Sequence, residues 1–319
     1  MLFKEILGLE KTKTDLIRGV SKKRIAHSQL FSGPQGSGKL AMAIAYARFL
    51  NCESSNEKDS CGNCKSCIRF SKLSHPDFHI VFPVVKKSSS DTPLSEEFLS
   101  LWKKEFLQNP YFSLKDWMKA YREVFLEKLT DKRKDPVIYS HQIKEIGRKL
   151  SLKVFEAKHR VFLIWLPENM NLQAANKFLK LLEEPPQKTL LLLVSEEKER
   201  LINTVSSRLQ KINIPSYTIQ ETILQGPEEK TEEFITHCRI SNGDMGSVLN
   251  YSVQQAKNDY IDSFIEIMRL SFKKNYIKIS DWTEEISTKS RQDQIDFLFY
   301  SIGLFRECII YNFSDQSLN

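Results

Sequence analysis

The chain has 319 residues, 41% of them hydrophobic and 27% charged, which is enough for two or three globular domains and excludes a fibrous or low-complexity protein. It contains no run of 18 apolar residues, and its opening MLFKEILGLEKTK turns charged too early for a signal peptide, so a cytoplasmic location with no membrane partner is expected. The formal charge of +7 is interspersed with acidic residues; it is compatible with a nucleic-acid partner and equally with a mixed solvated surface.

Residues 1–27 read as helical, with apolar Ile6, Leu9, Leu16 and Ile17. Gln29-Leu30-Phe31-Ser32 predicts a short strand that runs into GPQGSGKL, Gly33 to Leu40. The frame is that of a P-loop, with Gly33, Gly36, Gly38 and Lys39 in place, but Leu40 stands where a Ser or Thr hydroxyl would hold magnesium. The following AMAIAYARFL predicts a helix with almost no polar face. Strand, glycine loop and helix in that order are the context a P-loop requires. A strand is expected within 75–83, then a polar break at 86–91. Two amphipathic helices should follow, one opening at Thr92-Pro93 and one with a capping box at Ser113 and Asp116. Their aromatic stripe (Phe98, Trp102, Phe106, Tyr111, Phe112, Trp117, Tyr121, Phe125) reads as a hairpin packed on the sheet, with a partner-facing or DNA-facing role as the alternative; Lys103, Lys104, Lys115, Lys119 and Arg122 are its basic residues. A charged turn at 130–135 leads to a helix at 140–150. The apolar runs 161–165 and 190–194 predict buried parallel strands flanking a helix at 172–184, and Ile212 and Ile214 mark a further short strand. From a capping box at Thr218 and Glu221 onward, only helices are expected. The predicted fold is α/β: a P-loop parallel sheet with helices on both faces and a zinc module, then helices.

Six cysteines occur; Cys238 and Cys308 stand alone in helical segments and read as small buried hydrophobes. The other four, Cys52, Cys61, Cys64 and Cys67, are spaced x8, x2 and x2. Four thiolates so placed can surround one tetrahedral zinc, and the polar segments between them can form turns but no core. Disulfides are the alternative and are disfavoured in a cytosolic protein. A structural Zn2+ at 52–67 is expected.

The chain resembles the delta-prime subunits of bacterial DNA polymerase III clamp loaders, AAA+ relatives of tau/gamma. The resemblance rests on RIAHSQLFSGPQGSGK (Arg24 to Lys39), LNC (Leu50 to Cys52) with the zinc cysteines, HPD (His75 to Asp77), AANKFLKLLEEPP (Ala174 to Pro186) and SSRLQ (Ser206 to Gln210). It covers 1–214, apart from an insertion at about 86–136. It implies an AAA+ domain at 1–214, a small helical lid at 215–254 and a helical collar at 255–319. That collar is short, so a truncated chain or a reduced collar contact is expected.

The departures from the family pattern fall on the hydrolytic chemistry. ATP-hydrolysing relatives carry an acidic pair after the strand at 162–164, and here Trp165 and Leu166 occupy those places. Glu168 lies at a later acidic position, displaced from the metal-binding one. Gly243 to Leu249 has no sensor arginine, and the sensor position near Ser195 keeps a hydroxyl. A site lacking these charges is expected not to hydrolyse ATP and to bind it weakly or not at all, with Lys39 still able to hold an anion. The resemblance further implies that Arg208, next to Ser207, acts in trans as an arginine finger on a neighbour's ATP, although Leu209 replaces the family's cysteine. The implied partners are the tau/gamma and delta subunits, with the sliding clamp and primer-template DNA reached through the complex. The alternatives are an active tau/gamma-like ATPase and a zinc-containing nucleic-acid-binding module.

Overall fold

The computed structural model describes residues 1–88, 90–125, 135–226, 230–251, 259–289 and 291–313. The chain divides into two compact units, Met1–Ser216 and Tyr217–Asn319.

The first unit is built on five parallel strands: β1 (Ser28–Ser32), β2 (Phe78–Val81), β3 (Arg160–Trp165), β4 (Thr189–Ser195) and β5 (Gln210–Asn213). Their order is β2-β3-β4-β1-β5. β1, β3 and β4 are buried along their whole length, which is why their sequences are continuous apolar runs rather than alternating ones. The helices of this unit are α1 (Glu10–Ser21), α2 (Lys39–Asn51), α3 (Lys65–Ser71), α4 (Leu99–Gln108), α5 (Leu114–Phe125), α6 (Ser140–Leu150), α7 (Leu172–Glu183) and the single turn α8 (Asn203–Ser206). α2, α4 and α5 share one hydrophobic core with one face of the sheet; α6 and α7 share a second core with the other. This is the expected parallel α/β sheet covered on both faces. Every residue of α2 is buried, as its lack of a polar face predicts.

Register decides where the site lies. Ser32 pairs with Ser195 and Trp165 with Val194, so β1, β3 and β4 end level with one another. The glycine loop after β1 therefore meets the residues that follow β3 and β4 at the carboxyl edge of the sheet, where open α/β folds place their ligands.

The structure corrects several expectations. The stretch 1–27 is not one helix: a 3-10 turn at Phe3–Glu5 is separated from α1 by Gly8 and Leu9, both with positive φ, which helical backbone does not tolerate. The helix expected at Thr92-Pro93 opens as a 3-10 turn at Ser95–Phe98 before α4. Ser95 is tied to the end of β2: its hydroxyl accepts from Phe82 N–H at 3.0 Å and donates to Phe82 O at 2.9 Å. The capping boxes at Ser113 and Thr218 form as expected. Most of the turn expected at 130–135 lies outside the described residues, as does the start of the expected collar near 255.

The aromatic stripe faces inward. Phe98, Trp102, Phe106, Tyr111, Phe112, Trp117 and Tyr121 are buried. Trp117 Nε1–H donates to Pro83 O at 3.0 Å and Tyr121 O–H to Val85 O at 3.1 Å, so the hairpin is bonded to the segment leaving β2. Lys104, Lys115 and Lys119 are exposed; Lys103 and Arg122 are half-buried.

Among the described residues the second unit is helical throughout: α9 (Ile219–Leu224), α10 (Glu232–Ser241), α11 (Met245–Leu249), α12 (Asp259–Phe272), α13 (Tyr276–Thr288) and α14 (Arg291–Phe313). Phe234, Cys238, Met245, Val248 and Tyr251 form its buried centre. Cys238 is buried as expected, but Cys308 is exposed, because it falls on an outward turn of α14. That helix also exposes Leu298, Ile302 and Ile309. Among the described residues no helix is long and apolar enough to cross a membrane.

Candidate nucleotide-fold site and cysteine centre

The glycine loop has the backbone its sequence demands. Gly36 and Gly38 have φ of 68° and 79°, in the left-handed region that side chains avoid. A Cβ on Gly33 would lie 2.2 Å from Ile214 O, so only glycine lets the loop pass the chain that leaves β5. Lys39 opens α2 with its side chain turned inward, 4% exposed. Its Nζ donates to Pro34 O at 3.0 Å and to Glu196 Oε1 at 3.1 Å. Leu40 is buried in the core and offers nothing to a cation.

At the end of β3 the side chains are apolar and enclosed. The Trp165 ring lies 4.8 Å from Phe112 and 5.8 Å, edge-on, from Trp102. Trp102 in turn stacks on Phe82 and Phe106. The hairpin thus brings its aromatic rings to the position where an acidic pair would otherwise stand. Leu166, the second position, is also buried.

Glu168 follows in a 3-10 turn at Pro167–Asn169. Its Oε1 accepts the N–H groups of Glu196 and Glu197 at 2.7 and 3.2 Å, so this oxygen caps the backbone that leaves β4. Burial raises its pKa, against those two hydrogen bonds, which favour the charge. Ser195, the expected sensor hydroxyl, ends β4 and is fully buried. Sequence reasoning passed over Glu196, the carboxylate that meets Lys39. The signal was available: an acidic residue directly after a strand whose end adjoins the glycine loop.

Cys52, Cys61, Cys64 and Cys67 come together as expected, with all four Sγ atoms within 4.8 Å of one another. Around one zinc with bonds of about 2.3 Å, tetrahedral sulfurs would stand roughly 3.8 Å apart, so the cluster closes on a metal with small adjustments. Cys61 Sγ and Cys67 Sγ are already 3.9 Å apart. The backbone supports thiolates: Cys61 N–H donates to Cys52 Sγ at 3.2 Å, Cys64 N–H to Cys61 Sγ at 3.4 Å and Cys67 N–H to Cys64 Sγ at 3.4 Å. The last of these caps α3. N–H groups of Cys64 and Asn63 lower the Cys61 thiol to about 6, while burial pushes Cys52 up to about 12. A bound dication would bring both to thiolate. The donor set therefore fits a structural metal ion. The module is anchored from outside itself: Asp59 accepts the N–H groups of Phe3 and Lys4, Arg48 reaches Met1 O and Gly62 O, and Lys158 donates to Cys52 O.

Arg208 lies just past α8, its side chain 40% exposed. It donates to Thr204 O and to Glu183 Oε1, both at 2.9 Å. Ser207 Oγ donates to Thr204 O at 3.3 Å. Neither residue joins the cluster formed by Lys39, Glu196 and Glu168. Glu183, which sequence reasoning did not single out, belongs to the AANKFLKLLEEPP run.

A glycine loop between β1 and α2 of a parallel sheet, with Trp165 and Leu166 buried where β3 ends and a four-cysteine cluster within the same unit, defines a P-loop-type α/β protein. Residues 8–218, more than half of the chain, match the family described as "DNA polymerase III, delta subunit", and the chain belongs to that family. It is similar to the DNA polymerase III subunit delta' of Bacillus subtilis, 24% identical over 257 residues, covering 80% of this chain and 61% of that protein. The subunit delta' of Pseudomonas aeruginosa is 28% identical over 183 residues, covering 57% of this chain and 41% of that one. The subunit tau of Escherichia coli is 25% identical over 235 residues, covering 74% and 29%. The chain thus spans less than two thirds of the length of each of these relatives.

Proposed function

We propose that the chain is a non-hydrolysing clamp-loader subunit of the delta-prime kind, cytoplasmic, which braces a ring formed with tau/gamma and delta subunits. In this reading the AAA+ domain is followed by a lid at 215–254 and a collar at 255–319. Arg208 is lent to the ATP of a neighbouring subunit, so that the loader places the sliding clamp on primer-template DNA. The four cysteines hold a structural zinc ion. The observation that carries the reading is the end of β3, where Trp165 is enclosed by the hairpin aromatics and Leu166 is buried. Phosphoryl transfer depends on charge arranged around the phosphates and their magnesium, and these residues supply none. Arg208 suits the role in trans: it is exposed, and an exposed ion pair such as Arg208 with Glu183 is worth only about 0–1 kcal/mol, so it yields readily to a partner.

The test is reconstitution with a tau-type ATPase partner, comparing the natural chain with Arg208→Ala. Loss of the finger should slow hydrolysis at the one site it serves by on the order of 10³, the lower end for fingers of this kind. Unchanged clamp-loading ATPase would remove the trans-arginine role. Magnesium-dependent turnover by the isolated chain, abolished by Lys39→Ala, would point instead to an active tau/gamma-like ATPase.

A further inference from the structure

Lys39, Glu196 and Glu168 form a relay that does more than leave a site incomplete. A P-loop lysine normally offers its N–H groups to phosphate oxygens. Here the Lys39 ammonium is spent within the chain, one N–H on the loop's own Pro34 O at 3.0 Å and another on the Glu196 carboxylate at 3.1 Å. Both partners are largely shielded, the Lys39 side chain at 5% and that of Glu196 at 18% exposure, so the pair is little screened by solvent. Glu196 is held in place from behind. Glu168 Oε1 accepts the N–H groups of Glu196 and of Glu197, which fixes the backbone where β4 ends, and the buried Ser195 adjoins the Glu168 carboxyl. The loop itself remains formed, with Gly36 and Gly38 in the left-handed conformation. Within it Ser37 Oγ is fully buried and has no hydrogen-bond partner.

We propose that the glycine loop is a polyphosphate site closed from within: the Glu196 carboxylate, positioned by Glu168, takes the Lys39 N–H that a phosphate oxygen would take. The ligand class is a nucleoside diphosphate or triphosphate, or inorganic polyphosphate, bound without help from magnesium because Leu40, Trp165 and Leu166 offer it no ligand. Glu196 excludes this ligand in two ways. It neutralises the one buried cation of the loop, and its own negative charge repels an incoming phosphate. The loop thus keeps its shape without nucleotide, because the carboxylate does the stabilising that a phosphate does elsewhere.

This inference rests on the non-hydrolysing reading but can fail separately from it. Full-length natural protein, Glu196→Gln, Glu196→Gln with Lys39→Ala, and Glu197→Gln are titrated by calorimetry with ADP and with tripolyphosphate, with and without magnesium, and ATP turnover is measured alongside. Glu197 is exposed and paired with Arg200, so Glu197→Gln removes the same charge one residue away. Expected is binding at least about tenfold tighter in Glu196→Gln than in the natural protein. The gain should be lost in the double variant, absent from Glu197→Gln, and indifferent to magnesium. Equal affinity in the natural protein and Glu196→Gln, whether tight or undetectable, overturns the proposal, as does an equal gain in Glu197→Gln. Should Glu196→Gln not fold, as judged by thermal melting, Glu196→Ser is read by the same criteria. A gain accompanied by magnesium-dependent turnover sustains the internal cap and sinks the non-hydrolysing reading; no gain with no turnover does the reverse.

Discussion

Trp165 is the residue on which the proposed lack of hydrolysis turns. It is buried at the end of β3 between Trp102 and Phe112, in a setting that could not hold an ionised aspartate. Trp165→Asp is therefore expected not to restore hydrolysis but to destabilise the first unit. It removes a large buried side chain, a change that costs about 3–5 kcal/mol, and puts an unpaired carboxylate in its place. Urea unfolding of Trp165→Asp beside Trp165→Phe checks this: near-natural stability in the aspartate variant would contradict the packing account. Asp77 is a second case. Its carboxylate accepts the N–H groups of Phe155, Glu156 and Ala157 at 2.9, 2.9 and 3.0 Å, and so folds the loop before β3. Burial works against its charge, but these bonds outweigh it and hold its pKa below the usual value. Asp77→Ala strands those donors and should cost about 2–4 kcal/mol by the same measurement, with hydrogen exchange of residues 155–157 accelerated.

At the scale of elements, the four-cysteine module and the aromatic hairpin are separate additions to one sheet, and each is tied to it by specific bonds. The module carries almost no core of its own, so its order is expected to depend on the metal. The protein should contain one zinc per chain by elemental analysis. Removing the metal with a chelator, or replacing Cys64 by Ser, should lower Tm by about 2–4 °C for every kcal/mol lost. Hydrogen exchange should rise across 52–71 while β1, β3 and β4 stay protected; protection unchanged at 52–71 would argue against a structural metal. Most elements were legible beforehand. α2 lacks a polar face because it is buried all round; β3 and β4 are apolar throughout because both faces of the sheet are covered. Capping boxes at Ser113 and Thr218 marked helix starts, since the side chains that satisfy the first N–H groups lie three residues apart. The break at Gly8 and Leu9 was missed because apolar spacing continues across it while the backbone does not.

For the molecule as a whole, buried histidines set the response to acid. Burial lowers His79 to about 4, stacked on Phe162, and lowers His75 and His159 as well. A histidine whose folded pKa lies below its unfolded value of about 6.5 binds protons more readily when unfolded. The histidine contribution to stability is therefore at its full value above about pH 6.5 and falls as pH drops from there toward 4. Asp77 adds to the loss only lower, below the ordinary carboxylate value of about 3.9, because its folded pKa is depressed. Unfolding midpoints across pH 4–8 should show this decline, and His79→Phe, which keeps the stack on Phe162 and cannot titrate, should reduce its slope. An unchanged slope would mean that His79 is not buried neutral.

By itself the amino-acid sequence determined the parallel α/β class, the glycine loop, the cysteine cluster and the absence of an acidic pair after β3. These are matters of residue type and local spacing, which hydrophobic period, backbone freedom and ligand chemistry translate directly. Only the tertiary structure decided that the hairpin aromatics close over Trp165, that Arg208 rests on Glu183, and that Glu196 caps Lys39. Lys39 and Glu196 are far apart in the chain, and what joins them is the register that ends β1 and β4 at the same level. Pairings made across a sheet leave no periodic trace in a linear sequence.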